Sequence, residues 1–256
     1  MRRLLKIILF GLTSVFFLSA AFLFHVVTFA LPGRQRLLAG LVVLWAKTTT
    51  ALLGIDVSFS GREHLNNSGM LIVANHQSYL DIIILASVIP TLFVAKKEVR
   101  SWPLLGWLAT LGGTLYIDRT AFRGASEAME KIISALRGGT NVLVFPEGTS
   151  TNGELVAPFR PALFRSAVNA ERSILPVTIN YVLVSGENAG RRNRDLFCWY
   201  GAMTFTDHFW RLLNVRSLTS HIVIHPPIPH SSPSDPKELS ETAFLEISKG
   251  FHPFID

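Results

Sequence analysis

The sequence is poor in charged residues and has almost no cysteine. Asp, Glu, Lys and Arg together make up 16% of the 256 residues, whereas soluble domains carry roughly 25%. A chain with so few charges needs an apolar environment for part of its surface, and lipid is the simplest candidate. The single cysteine, Cys198, excludes an intrachain disulfide and indicates a reducing compartment. Because Cys198 lies in an apolar run, we interpret it as a core residue; the alternative is a catalytic nucleophile.

The sequence also lacks the patterns of nucleic-acid-binding proteins. It has 24 Lys and Arg against 18 Asp and Glu, a net charge of +6. These basic residues are scattered, and there is neither a zinc-ligand spacing nor a basic aromatic RNA-binding motif. We therefore predict no nucleic-acid partner, no metal site and no cofactor. Positive charge combined with apolar surface suits an anionic membrane face or a substrate that bears phosphate.

The N-terminal segment has one formal charge, Lys6, between residues 4 and 30. This apolar run is long enough to span a bilayer, and it exceeds the ~7–15 apolar residues of a signal peptide. We therefore predict a retained membrane helix; a cleaved signal peptide is the alternative. Since basic residues flank the run on both sides, a full span and a hairpin inserted in one leaflet both remain open.

A second apolar helix is predicted over residues 37–53. It either packs on the first helix, lies at the membrane interface, or is a buried helix of the following domain. We accordingly divide the chain into a membrane-anchoring helical segment, 1–53, and a catalytic domain, 54–256.

Short apolar runs alternate with helical patterns over the rest of the chain. Such alternation is typical of an α/β fold with a largely parallel sheet covered by helices on both faces. Strands are predicted at residues 57–60, 70–74, 92–95, 114–117, 141–145, 174–179 and 220–224. Helices are predicted at 81–89, 125–137, 161–170 and 236–249, and an exposed loop is expected at 186–194.

Polar residues follow the strand at 70–74. His76 and Asp81 lie five residues apart in a turn that enters a helix, so the carboxylate can fold back onto one imidazole nitrogen. The second nitrogen is then available to take a proton from an alcohol. The spacing alone is equally consistent with a capping Asp and a loop His.

Two further polar segments also follow predicted strands. Arg119 offers a planar fork of donors for phosphate, or forms a salt bridge with Asp118 or Glu98. Pro146 and Gly148 form a tight turn that either binds an anion or ends the strand. A strand end explains Pro and Gly but not Glu147, which needs a polar partner.

Taken together, these segments resemble the glycerolipid acyltransferases, specifically the 1-acylglycerol-3-phosphate (lysophosphatidate) acyltransferase group. Residues 75–81 match the family's NHxxxxD block, and residues 113–119 resemble the second block. Residues 145–149 match the FPEGT block, and residues 175–177 look like the fourth. The resemblance covers residues 61–228.

The resemblance implies a role for each matching residue. His76 is the general base on the acceptor hydroxyl, and Asp81 orients it. Pro176 belongs to the acyl-donor side, and the donor is acyl-CoA or acyl carrier protein. The residues implied in acceptor binding are Arg119, Glu147, Gly148, Thr149 and, as either a phosphate contact or a surface lysine, Lys96. The resemblance further implies phospholipid biosynthesis at a membrane, with the catalytic domain on the cytoplasmic face.

The third block departs from the family pattern. The family often continues GTRS, whereas this chain has Gly148-Thr149-Ser150, which removes one cation. Arg160 and Arg165 are candidate replacements, and the departure leaves room for another acceptor, such as a lyso amino-acid-containing lipid.

Two alternatives to an acyltransferase are an ester hydrolase and an inactive membrane scaffold. A hydrolase is disfavoured because the chain lacks a Gly-x-Ser-x-Gly elbow. A scaffold is disfavoured because it needs none of the polar residues singled out above.

Overall fold

A computed structural model of the chain describes residues 2–31, 33–118, 122–230 and 235–254. Within these ranges the chain forms eight α-helices and eight β-strands. The helices are α1 (Arg2–Val27), α2 (Arg34–Leu53), α3 (Leu80–Val88), α4 (Leu105–Leu111), α5 (Phe122–Arg137), α6 (Arg165–Ala170), α7 (Phe205–Leu212) and α8 (Pro236–Gly250). The strands are β1 (Ile55–Ser60), β2 (Leu71–Ala74), β3 (Leu92–Lys96), β4 (Leu115–Ile117), β5 (Val142–Val144), β6 (Ile174–Val184), β7 (Glu187–Asn188) and β8 (Leu218–Ile224).

The strands form one mixed, mostly parallel sheet in the order β1-β8-β6-β2-β5-β3-β4, with β7 paired to β6. Strand β6 runs antiparallel to β8 and β7, and the other pairs are parallel. The predicted fold class is therefore confirmed. Every residue of β2 and β5 is buried, as expected for central strands covered on both faces.

Alternate residues of the central strands face two separate cores. Ile72 of β2 packs on the side of α1, α2 and α3, whereas Leu71 packs on the side of α5, α6 and α8. This alternation follows from the two-residue period of a strand. Burial of both faces stabilises the sheet and holds the ends of its strands at fixed positions.

The parallel pairing brings several strand ends to one edge of the sheet. Val73 of β2 pairs with Val144 of β5, and Lys96 of β3 pairs with Ile117 of β4. The polar segments that follow β2, β3, β4 and β5 therefore leave the sheet at the same edge, where α/β proteins bind ligands.

Two N-terminal helices, Arg3–Val27 and Arg34–Leu53, are long and apolar enough to cross a membrane. Buried core helices and signal sequences pass the same test. Helix α1 contacts the rest of the chain near both of its ends. Lys6 Nζ donates to the carbonyls of Leu53 and Val215, and His25 Nε2 donates to the carbonyl of Leu111.

Some local predictions need correction. The segment 161–170 divides into a 3-10 turn, Pro161–Phe164, and the short helix α6. The segment 186–194, predicted as an exposed loop, contains strand β7. Arg194, at the end of this segment, is partly buried, and its Nη1 atom lies 2.7 Å from Glu154 Oε1. Helices α4 and α7 were not predicted as helices.

Candidate active site

His76 and Asp81 form a direct hydrogen bond at the edge of the sheet. His76 follows β2, and Asp81 lies in the first turn of α3. Their Nδ1 and Oδ2 atoms are 2.8 Å apart, which is the contact that the five-residue spacing predicts. Asp81 is fully buried, whereas the His76 side chain is 16% exposed. Within the described ranges only Nδ1 of this ring has a hydrogen-bond partner, so Nε2 is available to a substrate.

Further donors hold the Asp81 carboxylate. Its Oδ2 atom accepts from the backbone N–H groups of Gln77, at 2.7 Å, and Ser78, at 2.8 Å. Its Oδ1 atom accepts from the Tyr181 hydroxyl at 2.6 Å. These donors, with the positive end of the α3 dipole, stabilise a negative charge in a buried position. The carboxylate is thus held in one orientation beside the imidazole.

Asn75 and Phe145 position the backbone and ring of His76. The Asn75 amide exchanges two hydrogen bonds with the backbone of Ile179, at 3.0 and 2.8 Å, and so extends the pairing of β2 with β6. The Phe145 ring stacks on the His76 ring, with centroids 3.9 Å apart and an angle of 14°. The imidazole is therefore held both by its hydrogen bond to Asp81 and by the stacking of Phe145 on one face of the ring.

The Glu147 carboxyl group accepts hydrogen bonds from the backbone of two other segments, at His76 and at Ala157. One carboxylate oxygen accepts from the His76 N–H at 2.6 Å, and the other accepts from the Ala157 N–H at 2.7 Å. Burial raises the pKa of Glu147 to about 8, and these two N–H groups oppose that rise. The predicted polar partner is thus backbone, and the hydrogen bond between Glu147 and His76 is made by the His76 main-chain N–H.

The raised pKa of Glu147 predicts a pH-dependent stability. The folded protein binds a proton here between pH 4.5 and about 8, whereas the unfolded chain does not. Stability from this group is therefore complete below pH 4.5 and is lost as the pH rises towards 8, by up to about 1.4 kcal/mol per pH unit. Unfolding in detergent from pH 5 to 8 is expected to show a flatter profile for Glu147→Gln. The exposed Glu171→Gln is the control, and identical slopes in all three proteins would contradict the assignment.

Arg160 lies against the glycine of the third block. Gly148 has φ of +79°, and a Cβ at this position would lie 3.1 Å from the guanidinium carbon of Arg160. The absence of a side chain at Gly148 therefore lets an exposed cation approach the turn. Ser150, which stands where the family often has Arg, instead donates its hydroxyl to the carbonyl of Trp199.

The other predicted binding residues differ in their surroundings. Lys96 and Thr149 are exposed, Lys96 at the end of β3 and Thr149 after the turn of the third block. Pro176 is buried within β6, where its carbonyl accepts from the N–H of His225, so its place on the acyl-donor side stays a prediction. Arg119 lies outside the described residues, while Asp118 pairs with Lys97 at 2.9 Å.

Cys198 is a core residue. It is fully buried, and burial raises its thiol pKa well above the usual value, which disfavours a nucleophilic thiolate. Three other histidines have polar partners within the fold: His208 bonds to Tyr79, His225 to Thr178, and His221 to two serines of β1.

Comparison with known proteins shows the family of the chain. The sequence model of the acyltransferase family matches residues 56–180. A lyso-ornithine lipid O-acyltransferase of Pseudomonas aeruginosa is 37% identical over 213 residues, which cover 83% of this chain and 77% of that protein. A 1-acyl-sn-glycerol-3-phosphate acyltransferase of Neisseria meningitidis serogroup B is 33% identical over 170 residues, 66% of this chain and 64% of that protein. The chain therefore belongs to the acyltransferase family, although the match spans slightly less than two thirds of the Neisseria protein.

The fold also has a counterpart among solved structures. The crystal structure of a 1-acyl-sn-glycerophosphate acyltransferase from Thermotoga maritima superposes with a TM-score of 0.69 at 21% identity. The superposition covers 98% of this chain and 96% of that one. It therefore extends to both N-terminal helices as well as to the sheet.

Proposed function

We propose that the protein transfers an acyl chain from a thioester donor, acyl-CoA or acyl carrier protein, to the free hydroxyl of a lysolipid. The observation that carries the proposal is the buried Asp81 carboxylate bonded to Nδ1 of His76, which leaves Nε2 of a partly exposed ring without a described hydrogen-bond partner. A histidine held in this way is suited to remove a proton from an alcohol.

The reaction proceeds in two stages with no covalent enzyme intermediate. His76 Nε2 takes the hydroxyl proton while the acceptor oxygen attacks the thioester carbonyl. The tetrahedral intermediate then collapses, the carbon–sulfur bond breaks, and the imidazolium returns its proton to the departing thiolate. Asp81 stabilises the imidazolium through its negative charge and keeps the proton on Nδ1 in the resting state.

Acceptor binding is assigned to the cations beside the third block. Arg160 presents a guanidinium over Gly148, and Lys96 ends the neighbouring strand at the same edge of the sheet. Both suit a phosphate or carboxylate head group, and we place Arg119 in the same role. Glu147 shapes the turn through its two backbone contacts.

Two acceptors fit this site. The first is 1-acylglycerol-3-phosphate, on which the Neisseria relative acts by its name. The second is a lyso-ornithine lipid, favoured by the longer match to the Pseudomonas protein and by Ser150 in place of the third-block arginine. Both acceptors carry a free hydroxyl and an anionic group, so the same chemistry serves both.

We further propose that α1 and α2 insert in one leaflet, with the catalytic domain on the cytoplasmic face. Helix α1 has 26 residues, about 39 Å at 1.5 Å per residue. It is bonded to the domain through Lys6 near one end and His25 near the other. A full span would leave one of these ends across the bilayer from its partner. The apolar side chains exposed on α1 then contact lipid, where a lysolipid already resides.

An acyl-transfer assay tests the proposed function. Membranes containing the protein are given a labelled acyl chain on CoA or on acyl carrier protein. Each donor is combined with lysophosphatidate in one reaction and with lyso-ornithine lipid in another. Membranes without the protein are the control. Labelled diacyl product with at least one acceptor is expected. Release of free fatty acid at the same rate without any acceptor would instead identify a hydrolase, and no turnover of either donor would favour a scaffold.

Arg160→Ala is expected to weaken acceptor binding while leaving the chemistry intact. A charge-assisted hydrogen bond contributes about 1.5–3 kcal/mol, which corresponds to a rise in acceptor KM of roughly 10- to 100-fold. The KM for the donor and kcat are expected to change little. If Arg165→Ala raises the acceptor KM and Arg160→Ala does not, the assignment passes to Arg165, which begins α6.

A further inference from the structure

We infer that Tyr181 is a positioning residue for the His76–Asp81 pair, an inference that rests on the proposed function. Tyr181 is 3% exposed and Asp81 is fully buried. The Tyr181 hydroxyl donates to Asp81 Oδ1 at 2.6 Å, while His76 bonds to the other oxygen. Tyr181 thus acts on the imidazole through the carboxylate and does not itself meet the substrate.

The course of strand β6 directs the Tyr181 side chain towards the Asp81 carboxylate. Ile179 and Tyr181 lie two residues apart and pack in the core beside α3, whereas Asn180 points to the opposite face, where its amide donates to the carbonyl of Gly250. The pairing of β6 with β8 shifts register between Tyr181 and Leu183. Such an irregularity bends a strand and re-aims a side chain.

Packing fixes the Tyr181 ring as well as its hydroxyl. The ring lies against Phe197, with centroids 4.9 Å apart and an angle of 42°. Burial and the neighbouring Asp81 both raise the phenol pKa well above the usual value. The hydroxyl therefore stays protonated and donates over the whole range in which the enzyme is assayed.

The hydroxyl sets how strongly Asp81 attracts the imidazole proton. A carboxylate that loses a strong donor becomes more basic, so it pulls harder on Nδ1–H and favours the imidazolium. An imidazolium cannot serve as the base. Tyr181→Phe is therefore expected to move the acid limb of the kcat/KM profile to higher pH. Because the carboxylate also loses a bond that orients it, kcat is expected to fall.

The other titratable groups around the pair remain in place in this variant. Glu147 bonds to the His76 backbone, and the buried Cys198 and the carboxyl of Glu147 both lie within electrostatic range of Asp81. Tyr79 directly precedes α3 and bonds to His208. Since Tyr181→Phe alters none of them, a shift of the acid limb reports the lost hydroxyl.

The chain offers a matched control. Tyr200 also donates its hydroxyl to an aspartate, Asp195, at 2.7 Å, and this bond does not involve the His76–Asp81 pair. Acyl transfer is measured from pH 5 to 9 for wild type, Tyr181→Phe and Tyr200→Phe. For Tyr181→Phe we expect an acid limb about half to one pH unit higher and a kcat roughly 10-fold lower. Tyr200→Phe is expected to match wild type.

A structural role alone would give a different result. In that case Tyr181→Phe lowers the melting temperature but leaves the acid limb in place, and the inference is overturned. If the variant fails to fold, fluorotyrosine replacing the four tyrosines supplies a stronger donor and is expected to move the limb to lower pH. An unchanged limb, or one moved upward, would contradict the inference.

His76→Ala separates this inference from the proposed function. If His76→Ala transfers acyl chains as well as wild type, the proposed function fails and Tyr181 has no base to position. If His76→Ala is inactive and the Tyr181→Phe limb is unchanged, only the inference about Tyr181 fails.

Discussion

Replacing His76 with alanine is expected to lower kcat by roughly 10²- to 10⁴-fold, which is the typical contribution of general-base catalysis. Asp81 keeps its bonds to Gln77, Ser78 and Tyr181, so the local fold should survive. The measurement is transfer of labelled acyl chain to the preferred lysolipid, with the melting temperature recorded in detergent.

His221→Ala is the matched control for this experiment. Unlike His76, His221 bonds through both ring nitrogens, and its partners are serines of β1, the strand at one end of the sheet order. It is expected to retain wild-type transfer. Equal activity of the His76 and His221 variants would exclude His76 as the base, whatever the product formed.

Asp81→Asn is expected to lower kcat by roughly 10³-fold with a much smaller loss of stability. The asparagine oxygen can take the place of Oδ2 and accept from the same three N–H groups. Its NH₂ then faces the Tyr181 hydroxyl, which can accept in place of donating. The hydrogen-bond pattern is preserved, but the negative charge that stabilises the imidazolium is lost.

Asp81→Asn is also expected to shift the pH profile of kcat/KM in a defined direction. Loss of the negative charge beside His76 moves the acid limb of the kcat/KM profile to lower pH, opposite to the shift expected for Tyr181→Phe. Asp195→Asn, at the Tyr200 pair, is the control and is expected to leave the profile unchanged. Shifts of both variants in one direction would show that the charge of Asp81 does not govern the base.

Much of the fold was predictable because its signals are local. The buried strands are short apolar runs, and each strand except the two-residue β7 was predicted. Helix α8 begins with a local signal, since Asp235 accepts from the Lys237 N–H and Pro236 occupies the first helical position. The α4 and α7 segments have only 7 and 8 residues, about two turns each, and the helical period did not emerge from them.

The sequence by itself determined the edge of the sheet at which His76 and Asp81 lie, and the resemblance to the family blocks favoured their contact over a capping Asp and a loop His. Both residues belong to one short turn, so their spacing limits where the carboxylate can reach. The polar segments after β2, β3 and β5 were also recognisable, because each directly follows a buried run.

Only the tertiary structure decided which distant residues complete the site. Tyr181 is 100 residues from Asp81, and Glu147 is 71 residues from the backbone N–H that it binds. Arg160 meets Gly148 because the chain folds back after the third block. A periodic pattern reports which face of an element is buried, but strand order and register determine which faces meet. The physical origin of the site is therefore the order β6-β2-β5-β3, which places these segments side by side.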